Sequence, residues 1–263
     1  MNYDNKKLVD DLIKRFKIEY DKNDRSGVYG FTQRKMAYNS NKIEGSTLTE
    51  KQTSSLFETG TLSSDGELLR SKDIEEATGH FIMFNNMLKT YDEELSESLI
   101  KLYHFDLKSG VFEDKANGYA IGDYKKRANI VSDINVALPS EVPERMKDLI
   151  EKYNSKEMHS LSDIVKFHAE YEKIHPFQDG NGRTGRIIMF KECLKNGVYP
   201  FIVEDNIKGE YYHALNNAQN NDDFGALIDF CEKEQKSYFD NVKNLIYSQE
   251  EIDDIMVSLS KKR

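Results

Sequence analysis

The stretch from His175 to Arg186 constrains this chain more than any other. Upstream of it, Ile164, Phe167, Tyr171 and Ile174 recur at intervals of three, four and three, which is one apolar face of a helix. Pro176 cannot continue that helix, so the chain leaves it near His175. Downstream, Ile187, Phe190 and Leu194 recur at three and four, and Gly197 offers a C-cap. A second helix therefore begins around Gly182 or Arg183, with Gly180-Asn181-Gly182 as the turn between the two. Whatever else the chain does, it must pack two helices about this corner.

The corner carries chemistry as well as shape. Glycine and asparagine tolerate the left-handed backbone that turns successive N–H groups inward as an anion nest. The helix start adds its positive end. Arg183 and Arg186, three apart, share a face of the first turn and suit a bidentate grip on phosphate oxygens. Asp179 lies beside the nest, where a hard cation bridging two phosphates needs an oxygen ligand. His175 stands at the rim as a base near neutral pH. Each part is common in structural settings, but together at these offsets they suit group transfer from a nucleoside triphosphate.

The stretch His175-Pro176-Phe177-Gln178-Asp179-Gly180-Asn181-Gly182-Arg183-Thr184-Gly185-Arg186 resembles the Fic family signature, with every specified position present. The wider resemblance covers most of residues 30–235. It implies a mostly α, Fic-type helical bundle with a small β-hairpin flap, and a nucleotidyltransferase that moves AMP from ATP to a protein hydroxyl. It implies His175 as catalytic base and Asp179 as the Mg²⁺ ligand. Gly180, Asn181 and Gly182 would line the phosphate cradle, Arg183 and Arg186 would meet the β- and γ-phosphates, and Phe177 would be a packing anchor. The related Doc branch phosphorylates and carries lysine where this chain has Gly182.

A second stretch, Tyr38 to Thr49, reads from its residues alone as a polar helix end: Ser40 and Glu44 share a face at i, i+4, and Gly45 follows as a terminator. It also resembles the Fic inhibitory motif, Ser/Thr-x-x-x-Glu-Gly/Asn. The resemblance implies that Glu44 reaches into the site and pairs with Arg186, keeping ATP from its productive pose. The implied organisation is an N-terminal helical region, 1–60, carrying this motif, and a catalytic region with C-terminal helices, 61–263, in one compact unit.

The rest of the chain is consistent with a helical protein of 263 residues, in which four prolines are scattered and 38% of residues are hydrophobic. Leu8, Leu12, Phe16 and Tyr20 form a first stripe, followed by a polar connection over Asn23–Gly30. Thr49 with Gln52 suggests a capping box for a helix ending near Gly60, and residues 60–70 a surface loop. Further stripes are Ile74–Leu88, Leu95–Leu102, Val142–Tyr153, Ile207–Ala218 and Phe224–Leu245. Ser248 with Glu251 suggests a last capped helix carrying Ile252, Ile255 and Leu259, with Lys261-Lys262-Arg263 suiting its negative end. Ser160 or Ser162 caps the helix leading to His175. Residues 110–139 break the helical pattern, and Tyr124–Ile134 reads as a short hairpin. That segment is similar to the Fic flap, which implies a docking edge for a protein target over 124–134. The run Tyr211-Tyr212-His213 resembles a post-signature Fic segment; Tyr212 stacks on adenine or belongs to the core.

Charge and cysteine content narrow the setting. A net charge of −9 argues against nucleic acid as a partner. Cys193 and Cys231 fall on apolar stripes and read as reduced core thiols. No membrane span or signal peptide is apparent, so a cytoplasmic, ATP-containing compartment is expected. His80, His104 and His168 lack partners at metal-ligand spacing and read as structural or exposed. Three functions stay open: a self-inhibited adenylyltransferase acting on protein hydroxyls, including its own; a hydrolase that removes AMP, with Glu44 positioning water; and a non-catalytic nucleotide- or protein-binding module. A homo-oligomer also stays open.

Overall fold

In the computed structural model, residues 5–62, 66, 68–129 and 134–260 are described, the last two without their side chains. The apolar stripes become helices in the expected order. These are α1 (Asn5–Asp21), α2 (Val28–Ile43), α3 (Glu50–Thr59), α4 (Ser71–Lys89) and α5 (Glu97–Lys108). A short α6 (Phe112–Ala116) precedes α7 (Val142–Asn154), α8 (Leu161–Ile174) and α9 (Asn181–Lys195). A 3-10 turn, Asp205–Ile207, leads into α10 (Lys208–Asn221), and α11 (Gly225–Ile246) and α12 (Gln249–Ser260) close the chain.

The caps fall largely where local chemistry puts them. Thr49 and Gln52 form a capping box on α3, and Gly60 ends that helix in the left-handed conformation at φ 70°. Of the two serines before α8, Ser160 is the cap, paired with Asp163. Ser248 and Glu251 cap each other at the start of α12. Two elements differ from the sequence reading. The connection after α1 is shorter, because α2 starts at Val28. Gly30 lies inside α2, where a Cβ would fall 1.8 Å from the Arg25 carbonyl oxygen. In α5 the buried face runs through Leu99, Ile100, Tyr103 and Leu107, while Leu102 is partly exposed.

Among the described residues no strand is formed, and the hairpin expected over Tyr124–Ile134 is not seen: residues 124–129 run as irregular chain with a bend at 126–127, and 130–133 lie outside the described residues. The segment is held by tertiary hydrogen bonds in place of a ladder. Lys125 N–H donates to the Pro176 carbonyl at 2.9 Å, and the Asn129 amide donates to the Phe177 and Gln178 carbonyls, both at 3.1 Å. The Leu259 side chain and the basic end 261–263 also lie outside the described residues.

One hydrophobic cluster takes residues from α1, α2, α4, α5, α7, α8, α9, α11 and α12, so the core runs without a break past residue 60. A second gathers α8, α9, α10 and α11 and includes both buried, free cysteines. At the centre stands α9, which packs against α8, α5, α2 and α4. From Arg183 to Leu194 every residue of α9 is buried. A helix enclosed all round must pair its polar groups internally, and this requirement builds the site.

Candidate active site

The site forms at the corner between α8 and α9. His175 caps α8 in the left-handed region, φ 54° and ψ 61°, with its N–H bonded to the Tyr171 carbonyl. That conformation costs a residue with a Cβ roughly 1–2 kcal/mol, and it turns the chain away from the helix before Pro176. The imidazole meets the Glu172 backbone carbonyl. One ring N–H is thereby engaged and the other nitrogen is left bare. Burial, reinforced by the Lys125 charge, pushes the His175 pKa down to about 4. The ring is neutral at pH 7 and able to accept a proton.

The loop that follows is braced from inside. Asn181 is 1% exposed and its amide forms a two-way bridge to Phe177: Phe177 N–H donates to Asn181 Oδ1 at 2.8 Å, and Asn181 Nδ2 donates to the Phe177 carbonyl at 2.9 Å. The Asn181 side chain is thus a staple, and only its backbone N–H remains for an anion. Phe177 is fully buried and stacks on His104 at 3.8 Å. Gly122 N–H donates to His104 Nδ1, so Nε2 carries the proton and donates to the Asp179 carbonyl at 3.0 Å. Gly180 is the N-cap of α9 at φ 87°. The helix begins at Asn181, slightly earlier than periodicity suggested, and the free N–H groups of its first turn open at the corner.

The two arginines have different surroundings. Arg183 is 2% exposed. Its Nη1 lies 2.6 Å from Glu76 and 3.3 Å from Asn41 Oδ1, and its Nη2 lies 3.1 Å from Asp179 Oδ1. Arg186 donates from Nε to Ser40 Oγ at 3.0 Å, and from Nη2 to the Ser40 carbonyl at 3.0 Å and to Glu44 Oε1 at 2.7 Å. The spacing Ser40-x-x-x-Glu44 therefore brings both residues to one guanidinium. Gly182 makes the approach feasible, because a Cβ there would sit 2.3 Å from Glu44 Oε1. Gly45, at φ 89°, ends α2 immediately after Glu44.

Asp179 is the carboxylate at the mouth. Its Oδ1 accepts from Gly180 N–H at 2.7 Å, and its Oδ2 lies 2.8 Å from Lys108 Nζ. Neighbouring Arg183, Lys108 and Lys72 hold its pKa below the usual carboxylate range against the opposing effect of burial. Oxygens of Glu76, Asp114 and Asp179 lie within 4.8 Å of one another. Side-chain exposure separates them: 32% for Asp179, 7% for Glu76 and 1% for Asp114. A hard divalent ion that keeps most of its waters and takes phosphate oxygens needs about one accessible carboxylate, and Asp179 fits.

The remaining expected residues divide between site and core. Tyr211 is core, with its hydroxyl 2.6 Å from His168 Nε2. Tyr212 is 43% exposed, and the Glu44 and Arg186 charges both act on its phenol. His80 and His168 are fully buried and push down to about 3 by desolvation. Sequence reasoning missed Glu76, Lys108, Asp114 and Asn41. Glu76 carried a legible signal: Asp73, Glu76 and His80 recur at three and four beside the apolar stripe of α4, and all three are buried. Asn41 lay inside the quoted motif with no role read for it. Lys108 and Asp114, at a helix end and in a loop-like segment, offered no pattern.

Comparison with known proteins places the chain among similar folds and sequences. The Fic/DOC family model matches residues 94–193. Among curated relatives, Protein adenylyltransferase Fic of Nematostella vectensis is 26% identical over 189 residues, 70% of this chain and 43% of its own length. Protein adenylyltransferase fic-1 of Caenorhabditis elegans is 24% identical over 69% of this chain and 35% of its own. The chain thus spans less than half the length of these relatives. A Fic domain containing signaling protein of Bacteroides thetaiotaomicron superposes with a TM-score of 0.74 at 21% identity, covering 92% of this chain and 98% of that one. Fic-1 of C. elegans gives 0.70 at 20%, covering 92% and 71%. These likenesses establish the helical Fic fold. Among the described residues no helix is long and apolar enough to cross a membrane.

Proposed function

We propose that the chain is a self-inhibited adenylyltransferase that moves AMP from ATP to a hydroxyl of a protein, its own hydroxyls included. The observation that carries the reading is the 2.7 Å contact between Glu44 and Arg186 at the mouth of a corner that also holds His175 and Asp179. A catalytic corner whose anion-binding arginine is already taken by a carboxylate is a site kept in check. The names of the curated relatives, both protein adenylyltransferases, support the same activity.

The chemistry follows from the corner. The bare nitrogen of His175 takes the proton of the incoming hydroxyl as its oxygen attacks the α-phosphorus. The bond from that phosphorus to the α–β bridging oxygen breaks, and pyrophosphate leaves. The N–H groups opening α9 at Asn181, Gly182 and Arg183 receive phosphate oxygens, and Arg186, once Glu44 withdraws, takes the terminal phosphate bidentately. That contact aligns the α-phosphorus for in-line attack. Asp179 would hold Mg²⁺, which supplies neutralisation of the phosphate charge. Tyr212 offers the exposed ring beside the clamp for the base. The protein target docks at the 124–134 segment, where Asn129 ties the chain to the signature loop. A cytoplasmic setting accords with the need for ATP.

Self-labelling with labelled ATP tests the reading without knowledge of the target. Glu44→Gly should raise incorporation by roughly 5–150-fold, the range of a coupling of about 1–3 kcal/mol. Adding His175→Ala to that variant should remove about 10²–10⁴-fold. Equal labelling by wild type and Glu44→Gly sinks the self-inhibition. Undiminished labelling by the double variant sinks His175 as base. Release of AMP from a premodified target by wild type, but not by Glu44→Gly, would instead favour the hydrolase.

A further inference from the structure

We propose that Lys108 acts as a fixed cation in place of a second metal: it fills the interior of the Glu76/Asp114/Asp179 cluster and leaves Asp179 to face a single divalent ion. The inference rests on the reading of Asp179 as the metal ligand. Lys108 is the last residue of α5 and is 1% exposed. Its Nζ lies 2.5 Å from Glu76 Oε1, 2.6 Å from Asp114 Oδ2 and 2.8 Å from Asp179 Oδ2. Three carboxylates whose oxygens lie within 4.8 Å of one another form a donor set that suits a cation. The ammonium already occupies its centre.

The charges explain why one ion and not two. Glu76, Asp114 and Asp179 supply three negative charges; Lys108 and Arg183 answer two of them inside. Lys72 approaches from the rim, 3.6 Å from Asp179 and 3.9 Å from Asp114. A divalent ion in the interior would press against an ammonium in a space of low dielectric, where like charges repel strongly. Asp179 is gripped from behind on both oxygens, by Gly180 N–H and Arg183 on Oδ1 and by Lys108 on Oδ2. It is also the most exposed of the three carboxylates. Lys108 acts through Asp179 and does not reach the reacting atoms, so it is a positioning residue.

Manganese binding, read by the loss of the free Mn²⁺ electron-spin-resonance signal, tests the assignment in nucleotide-free protein. Wild type should show no tight Mn²⁺ site. Lys108→Met, which keeps the chain length and removes the charge, should bind one Mn²⁺ at least tenfold more tightly than wild type, and its melting temperature should rise with added Mn²⁺. Lys108→Met with Asp114→Asn should lose that site. A folded Lys108→Met that binds Mn²⁺ no better than wild type overturns the proposal. Should Lys108→Met fail to fold with or without Mn²⁺, Asp114→Asn serves. In its complex with a non-hydrolysable ATP analogue, the less compensated ammonium should weaken Mn²⁺ roughly fivefold, and unchanged affinity overturns the proposal. Failure of the underlying reading looks different: Asp179→Asn would then leave Mn²⁺ binding in the wild-type analogue complex untouched.

Discussion

Arg183 and Arg186 are the same residue type, three apart on one buried helix, yet they sit in opposite kinds of surroundings. Arg183 belongs to a closed ring, in which Glu76 and Asp179 each bridge it to Lys108. Arg186 is met by one carboxylate, Glu44, whose side chain is 29% exposed and sits at the C-cap of α2. The ring is part of the fold, with each member held by at least two opposite charges, Asp179 included. The contact at Arg186 is a latch, because a single part-exposed carboxylate closes it. A network in which each charge has at least two opposite neighbours holds its shape, whereas a single pair is more easily exchanged.

The largest expected effect breaks the ring. Arg183→Met takes a cationic partner from both Glu76 and Asp179 and should cost about 3–5 kcal/mol, seen as a fall of roughly 6–20 °C in melting temperature. Glu44→Gly, by contrast, should cost on the order of 1 kcal/mol, since solvent screens the exposed partner. Equal losses in the two variants would erase the distinction between ring and latch.

Next in size is a pH effect centred on the histidines behind the two arginines. His80 and His168 are buried and neutral, each lowered to about 3, chiefly by desolvation and further by arginine charge. The unfolded chain takes up protons at these residues below its ordinary pKa of about 6.5, while the folded chain does not until near 3. Their contribution is intact above pH 6.5 and is lost as the pH falls through that window. By pH 5.5 the loss is roughly 1.4 kcal/mol for each. Urea titrations at pH 7 and 5.5 measure it, and His168→Gln should flatten part of the slope.

Smaller effects sharpen the latch. Gly182→Ala forces a methyl against Glu44 Oε1, so it should destabilise wild type more than Glu44→Gly, with a coupling of about 1–2 kcal/mol in a double-mutant cycle. A coupling near zero would mean that Gly182 is needed for the backbone alone. Ser40→Ala removes one hydrogen bond to Arg186 and should cost about 1 kcal/mol in thermal unfolding.

The helices were legible because burial writes itself as a three-four repeat, and caps such as Thr49–Gln52 and Ser160–Asp163 need only neighbours a turn away. The flap shows the limit. The described part of the stretch read as a hairpin, Tyr124–Asn129, forms no strand, and its hydrogen bonds go to Pro176, Phe177 and Gln178, about fifty residues away. The site divides the same way. His175, Asp179 and the Gly180–Gly182 turn lie within one stretch and could be read together. Glu76, Lys108 and Asp114 come from three other segments and could not.

The sequence by itself determined the order of the helices, the corner at His175–Pro176 and the two motifs, since each depends on residues within a few turns of one another. The resemblance to the inhibitory motif implied the Glu44–Arg186 pair, and only the tertiary structure decided the partners of Arg183 and the place of Ser40 beside Arg186. Packing α9 at the centre deprives both guanidiniums of water, and each must then find its partners among whatever α2, α4 and α5 bring alongside. Arg183 meets Glu76 and Asp179, and Arg186 meets Ser40 and Glu44. Local sequence cannot specify such partners, because charge pairing in a low-dielectric interior depends on distances set by the whole fold.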